Sequence, residues 1–408
     1  METTFAVLLK PLLAYIEKNG EAIDKSSGSR TFKFQHFTLT MVFAYLMQVP
    51  SLRKLTNKLE LSDTATSLGL QVFPWTTIRD GFTRFSATIF VNLYQYILQS
   101  TSIVHLDAID ELGLVSLVDG SIFPTISNMC WAEYKKNKRA IRLHVEFSLN
   151  QMIPLEFIGQ KANSSERSFL LSILTKGVTY IADRGYFSFD VIAKISKAYA
   201  FFVFRIKDNM KFTVGKELNT TGQIPNCLDE VSDQLIRFDN DPNQLICRLV
   251  MFKVMGSDFK ICTNRLDLTT TEIIMLYAYR WQIELLFKFI KRVLNGIHLF
   301  NHSQNGANIQ FCLLMIISVL YLSLRQFCKF NASTLNANVK TLDQTDTQQT
   351  SKLEDFNTFS GKQADSWINS INKAFESLWK ISSYWVDNLR ELIAKPFDNQ
   401  VISVLARE

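Results

Sequence analysis

Residues Leu276 to Arg292, LYAYRWQIELLFKFIKR, decide how the rest of the chain is read. The stretch has no Gly and no Pro and is rich in Leu, Ile and Phe, which predicts a helix. On a wheel of about 100° per residue with Tyr277 at zero, Arg280, Glu284, Lys288 and Lys291 fall at roughly −60°, −20°, +20° and −40°. One narrow stripe therefore carries a phenol, a guanidinium, a carboxylate and two ammonium groups. Ile283, Leu286, Phe289, Ile290, Val293 and Leu294 cover most of the remaining surface, with Gln282 as an exception. The pattern predicts a largely buried helix with one polar edge, suited to metal ions and phosphates. Ordinary i,i+4 pairing on an amphipathic helix, such as Glu284 with Lys288, is the plainer reading of the same residues.

Upstream, two apolar runs each end in an acid. Leu112 to Asp119 (LGLVSLVD) predicts a strand whose last residue is the carboxylate, with Gly120 and Ser121 turning the chain. Val178 to Ala182 predicts a second strand, ending at Asp183. Between them, Ala140 to Ser148 alternates as a strand and Met152 to Gly159 reads as its hairpin partner. Ser165 to Thr175 reads as a helix, Ser188 opens another to about Ala198, and Phe201 to Ile206 is a further strand. This order is compatible with an α/β (α+β) chain built on a ribonuclease-H-like core.

The acidic helix is delayed by short β-like pieces: Met210 to Val214, Gln234 to Phe238, Leu245 to Val254 and Phe259 to Thr263. They read as a β-rich insertion at about 207–265. Thr269 or Thr270 then caps the helix that runs to about Leu294.

Cutting a phosphodiester needs a deprotonated nucleophile and a stabilised leaving oxygen, and two divalent ions about 3.5–4 Å apart can supply both. Such hard ions take oxygen ligands. Asp119, Asp183 and Glu284, from three separate elements, make a plausible Mg²⁺ set. Asp107, Asp110 and Glu111 are rival acids, but they precede the strand and read as a solvated loop. Glu166 and Asp190 sit at helix starts, where the helix dipole accounts for them.

The order Tyr277, Arg280, Glu284, Lys291 resembles the YREK signature of insertion-sequence transposases of the DDE class. Val118 to Ser121 (VDGS) resembles the family's first acidic motif, and Ala182 to Ser188 (ADRGYFS) resembles its second. The resemblance covers roughly residues 110–325. It implies a transposase that binds terminal inverted repeats and performs metal-dependent strand cleavage and strand transfer by a cut-and-paste route. Asp119, Asp183 and Glu284 would be catalytic and hold two Mg²⁺ ions, with Mn²⁺ as a substitute. Tyr277, Arg280 and Lys291 would touch transposon-end DNA. Arg184, beside the second acid, is a further candidate contact, and so is Lys288, which shares the stripe but lies outside the family pattern. The partners implied are double-stranded DNA, as transposon ends and as target, and a second copy of the chain pairing two ends. Two alternatives stay open: a ribonuclease-H-like nuclease without strand transfer, and a non-catalytic DNA-binding descendant. One departure concerns the insertion, where some relatives use Trp to stack a flipped base while forming a DNA hairpin. None of the six Trp lies in 207–265, leaving Phe212 or Phe238 as substitutes and a hairpin intermediate in doubt.

The remaining regions read as helical. Residues 1–105 carry apolar spacing at Phe5 to Glu17, Thr38 to Gln48 and Ser51 to Leu59, and Trp75 to Phe85 comes next with Thr76 or Thr77 as cap. The last two resemble a helix-turn-helix layout, so this region is expected to be a DNA-binding domain using Arg53, Lys54, Lys58, Arg79 and Arg84. Lys135, Lys136, Lys138 and Arg139 just before a strand, and Arg205 and Lys207 after another, are further candidates for backbone phosphates. The catalytic domain spans 106–330, including a core helix from Asn308 to Phe330. A polar linker (331–365) and a helical C-terminal tail (366–408) complete the chain, the tail carrying Trp367 to Leu378 and Ile381 to Ile393.

Bulk properties agree without deciding. The chain has 408 residues, 47% hydrophobic and 20% charged, as a folded protein requires. A net charge of +6 is compatible with nucleic acid, but solubility charge looks the same. The six Cys are scattered with no CxxC pair, which argues against a zinc site or a disulfide framework and for a reducing cytoplasm. His298 and His302 lack the partners a metal site needs. No signal peptide is visible, and the longest apolar run, Phe311 to Leu324, is short for a membrane span. The expectation is a cytoplasmic protein with no membrane association.

Overall fold

A strand that passes through one acid and a strand that stops just short of another lie side by side in a ten-stranded sheet. The computed structural model describes residues 3–28, 31–101, 107–125, 129–224, 228–254, 256–340, 390–396, 398 and 401–402. In chain order the strands are β1 (Val115–Pro124), β2 (Glu133–Lys135), β3 (Lys138–Ser148), β4 (Ile153–Lys161), β5 (Thr179–Ala182), β6 (Phe201–Arg205), β7 (Phe212–Leu218), β8 (Leu228–Phe238), β9 (Ile246–Val254) and β10 (Ser257–Thr263). β3 pairs antiparallel with β4 and β1, and β1 pairs parallel with β5, which pairs parallel with β6. The spatial order β4-β3-β1-β5-β6, with three antiparallel strands followed by two parallel ones, is the ribonuclease-H-like arrangement.

The insertion does not form a separate body. β10 pairs antiparallel with β6, and β9, β8 and β7 continue outward from it in the same sheet. β6 would otherwise be an open edge with unpaired backbone groups. Ile206 N–H donates to Lys260 O at 2.9 Å and Thr263 Oγ1 donates to Phe202 O at 2.5 Å, closing that edge.

β1 also departs from expectation. It does not stop at Asp119 but runs on through Gly120 and Ser121 to Pro124, paired with β3 throughout. The glycine marks a close approach rather than a turn. Gly120 faces His144 across the ladder, and a Cβ there would lie 3.1 Å from Arg142 Cδ and 3.2 Å from His144 Nδ1.

In chain order the helices are α1 (Thr4–Ser27), α2 (Phe34–Leu46), α3 (Leu52–Leu61), α4 (Asp63–Ser67), α5 (Trp75–Arg84), α6 (Ala87–Ser100), α7 (Asp107–Asp110), α8 (Glu166–Ser172), α9 (Phe189–Lys197), α10 (Thr270–Tyr279), α11 (Trp281–Lys288) and α12 (Gln304–Lys340). Ser51, Ser165 and Ser188 cap α3, α8 and α9 with side-chain oxygens. α5 begins at Trp75, as expected, but directly after Pro74, so neither Thr76 nor Thr77 is its cap.

The decisive stretch is not one uninterrupted helix. Thr269 and Glu272 form a reciprocal capping box at the start of α10. The regular pattern breaks at Arg280, resumes in α11, and ends in a π-helical turn over Phe289–Val293.

The N-terminal helices share one hydrophobic core with α12 and the β1–β3–β4 side of the sheet. Phe34, Phe37, Phe82, Phe85 and Phe90 are all fully buried, and the Phe37 and Phe82 rings meet edge-to-face at 4.9 Å. Asn305 at the start of α12 donates to Phe82 O and Phe85 O and accepts from Ala87 N–H. Tyr94 donates to Pro154 O on β4.

α12 starts before the expected Asn308 and runs to Lys340, ten residues into the stretch read as linker, whose remainder lies outside the described residues. Its portion Gln304–Arg325 is long and apolar enough to cross a membrane, but it is mostly buried within the fold. Of the expected tail helices, Trp367 to Leu378 lies outside the described residues. The end of the second is described: Arg390 donates to Leu46 O and Val293 O, and Phe5 and Thr4 N–H donate to Ile393 O and Lys395 O.

Candidate active site

β1 and β5 run parallel in register, with Leu117 opposite Ile181. Two residues further along each chain come Asp119 and Asp183. Neighbouring strands lie about 4.8 Å apart, so this register brings the two acids to one level. Each carboxylate is steadied locally. Asp119 Oδ1 accepts Gly120 N–H at 2.8 Å and Asp183 Oδ1 accepts Arg184 N–H at 2.7 Å. The second oxygen of each accepts no hydrogen bond from the described residues.

Asp119 is partly buried, and its pKa is pushed up from 3.8 to about 6. Burial is the main cause. The Gly120 N–H and the Arg280 charge oppose it, while Glu166 and Glu284 reinforce it. Three carboxylates and one guanidinium thus share a single electrostatic neighbourhood. Tyr186, from the second acidic motif, lies behind them. Its phenol is buried with its OH unpartnered among the described residues, and its pKa is raised first by burial, then by Asp119 and Glu166, with Asp183 also contributing.

Glu284 is carried by α11, and Arg280 Nη2 donates to its Oε1 at 2.6 Å. The pair is i,i+4, but it uses Arg280 and not the Lys288 of the plainer reading. Lys288 instead places its ammonium 4.6 Å from the centre of the Trp281 ring. Tyr277 is only 7% exposed and lies under Arg280, whose guanidinium carbon is 5.9 Å from the ring centre. Lys291 donates to Ser121 Oγ at 2.7 Å and Ile122 O at 2.8 Å, tying the π-turn to the far half of β1. Burial lowers its pKa, against the pull of Asp119. Arg184 is exposed beside Asp183.

Among the described residues no three His, Cys, Asp or Glu side chains stand together as a ready metal cradle. The donor chemistry nevertheless fits a hard divalent ion. Asp119, Asp183 and Glu284 offer only oxygen, two carboxylates keep an unpartnered oxygen, and burial of Asp119 among like charges creates a demand for positive charge.

The structure adds residues that the sequence assigned elsewhere. Glu166 is not simply an acid at a helix start. It pairs with Arg142 on β3 and lies against Gly185, where an added Cβ would sit 3.2 Å from its Oε2. Arg142 alone offered a hint, as a cation on a strand otherwise dominated by apolar residues. His144 is fully buried, bonded to Ser164 Oγ at 2.8 Å, with its pKa lowered to about 4 by burial and then by Arg142.

Other candidates are dispersed. Arg53 and Arg79 flank the Trp75 ring at 4.9 and 5.3 Å, which ties α3 to α5. Lys135, Lys136 and Lys138 are exposed at the β2–β3 turn, while Arg139 is bonded to Glu133. Arg205 stacks on Phe259 at 4.4 Å and donates to Asp258 O. Phe238 is fully buried between Phe187, Phe189 and Phe212, so it has no face to offer a flipped base.

A ribonuclease-H-like sheet with one acid on a strand, a second just past the end of the neighbouring parallel strand, and a third on a later helix defines the DDE class of fold. Residues 111–320, just over half of the chain, match the family described as Transposase DDE domain, and the chain belongs to that family. Family members generally use divalent metal ions. The chain is 22% identical over 322 residues to the probable transposase for insertion sequence element IS5377 of Geobacillus stearothermophilus, covering 78% of this chain and 84% of that protein. It is 27% identical over 230 residues to y4zB of Sinorhizobium fredii, which carries a provisional transposase name; the match covers 55% of this chain and 63% of the length of y4zB. Among solved structures, the cryo-EM structure of the piggyBac transposase synaptic complex with hairpin DNA is similar with a TM-score of 0.41 and 9% identity, covering 91% of this chain and 75% of that one.

Proposed function

We propose that the chain is the transposase of a bacterial-type insertion sequence. It binds the terminal inverted repeats of its element as double-stranded DNA, cleaves the strand at each end, and joins the freed 3′ hydroxyl to target DNA. The observation that supports this reading is the β1–β5 register, which sets Leu117 opposite Ile181 two residues before Asp119 and Asp183, together with the electrostatic influence of the α11 carboxylate Glu284 on Asp119.

Asp119, Asp183 and Glu284 would hold two Mg²⁺ ions, or Mn²⁺ in their place. When bound, such ions lower the pKa of the attacking water or hydroxyl and neutralise the leaving oxygen. The chain's own groups do the rest. Gly120 and Arg184 N–H groups aim the two aspartates. Arg184 and Lys288 would neutralise flanking phosphates, and Arg280, Tyr277 and Lys291 would touch the transposon end. Lys291 also holds β1 against the π-turn, so a phosphate there would meet an ammonium already oriented by two bonds. The N-terminal helices would supply further DNA contacts, a second copy would bring two ends together, and the protein would work in the cytoplasm without a membrane.

The test is Glu284→Gln on a duplex taken from the DNA that flanks the coding region. The variant should keep end binding in a mobility-shift assay and lose metal-dependent nicking and joined product. Nicking at the wild-type rate would remove Glu284 from the site. Nicking without any joined product in the wild type would favour a nuclease over a transposase.

A further inference from the structure

We propose that Arg280 is an internal counter-ion that holds Glu284 out of the metal site until a DNA phosphate draws the guanidinium away. The proposal rests on reading Asp119, Asp183 and Glu284 as the metal-holding acids, and it gives Arg280 a task beyond touching DNA.

The Arg280–Glu284 bond is 2.6 Å, with the two side chains 18% and 28% exposed. In so sheltered a place the pair is screened far less than on an open helix. The same guanidinium acts on Asp119, so one fixed positive charge serves two of the three acids. A guanidinium does not lose its proton. It can leave Glu284 only by moving, and a divalent ion taking that carboxylate would meet an uncompensated cation unless it does.

Two features permit the move. Arg280 sits at the break between α10 and α11, where the helical pattern is interrupted. The buried Tyr277 ring beneath it offers a flat surface 5.9 Å away. A phosphate provides the competing partner, because it accepts two parallel N–H bonds from one guanidinium. DNA binding and metal binding then become linked, each favouring the other by the same factor. An acid site that completes itself only on DNA would spare the cell unguided cleavage.

The experiment is a titration of the full DNA-free chain with Mn²⁺ alone, followed by the electron paramagnetic resonance signal of the free ion. Arg280→Gln should bind Mn²⁺ at least about fivefold tighter than wild type, the low end of coupling between linked sites. Arg280→Lys, which keeps the charge, should stay near wild type, and the gain should vanish in the Arg280→Gln, Glu284→Gln double variant. Circular dichroism checks folding; if the glutamine variant does not fold, Arg280→Met carries the same expectation. The proposal is overturned if the Arg280 variant binds no tighter while Asp119→Asn weakens binding, or if the gain survives in the double variant. If Asp119→Asn leaves Mn²⁺ binding unchanged in every background, the acids are not the metal site and the underlying reading falls as well.

Discussion

Asp119 lies two residues beyond Leu117 on β1 and Asp183 two residues beyond Ile181, just past the end of β5, and the β1–β5 register sets Leu117 opposite Ile181. As joint holders of the proposed metal ions, the two acids should act as a unit. Asp119→Asn and Asp183→Asn are each expected to slow strand cleavage at least about a hundredfold, since ion-assisted charge stabilisation contributes several kcal/mol. The double variant should be no slower than the worse single one, as is usual for groups that share one step. Cleavage rates on an end-bearing duplex check this, and additive losses would separate the two residues.

The raised pKa of Asp119 makes stability depend on pH. The folded chain holds this proton more tightly than the unfolded chain does, since the value rises from 3.8 to about 6. The associated stabilisation is therefore fully present below about pH 4 and is lost as pH climbs through 6, a difference of no more than about 3 kcal/mol. In metal-free buffer Asp119→Asn should raise the urea midpoint at pH 8 and change it little at pH 4. Added Mg²⁺ at pH 8 should stabilise the wild type and not this variant. An equal effect of the substitution at both pH values would show that the buried carboxylate carries no such cost.

The acids were legible because each closes an apolar run, and that local pattern survives any tertiary arrangement. The path of the chain beyond Asp119 was not legible. Gly120 and Ser121 have turn composition, yet β1 continues through them, and the glycine serves a close approach to Arg142 and His144 instead. The insertion's strands were visible as short apolar pieces, but their attachment to β6 depends on pairing between residues about 60 apart, which no local periodicity records. The wheel placed Arg280 and Lys288 one turn on either side of Glu284, and the plainer reading paired Glu284 with Lys288. In the fold Arg280 takes Glu284, while the Lys288 ammonium lies over the Trp281 ring. Glu166 was hidden because an acid at a helix start already has a sufficient local explanation.

Arg184 is exposed next to Asp183 and free to meet a backbone phosphate. Each neutralised phosphate contributes about 0.9 to the slope of log affinity against log salt on duplex DNA. Arg184→Ala should reduce that slope by about one and weaken binding to all sequences alike. Lys288→Ala should do the same if its ammonium leaves Trp281 for DNA. Affinities measured across a salt series distinguish this from a base contact, which would change sequence preference and leave the slope alone.

α2 and α5 approach each other at Gly81, where an added Cβ would come within 2.5 Å of the fully buried Phe37 ring. Overpacking of this kind costs about 1–3 kcal/mol. Gly81→Ala should lower the urea midpoint accordingly, and Gly81→Ala combined with Phe37→Leu should recover part of the loss. If the N-terminal helices share a cooperative core with α12 and β4, to which Asn305 and Tyr94 bond them, the whole chain should unfold in one shifted transition. Two separate transitions, only one of them shifted, would instead divide the N-terminal helices from the rest.

The insertion and the acidic helix are joined by a buried ion pair. Arg248 on β9 donates to both oxygens of Asp233 on β8 at 2.9 and 2.6 Å, and also to Arg265 O and Leu268 O in the loop before α10. Thr270, the first residue of α10, donates to the same Asp233 at 2.7 Å. Asp233→Ala leaves Arg248 charged, buried and without its acid, which is expected to cost about 3–5 kcal/mol. Because the pair anchors the start of α10, the damage should extend to the helices carrying Tyr277, Arg280 and Glu284. Amide exchange should therefore speed up across α10 and not only in β8 and β9. Loss of protection confined to the insertion strands would mean that the acidic helix holds its place without them, and that the insertion serves some purpose other than positioning it.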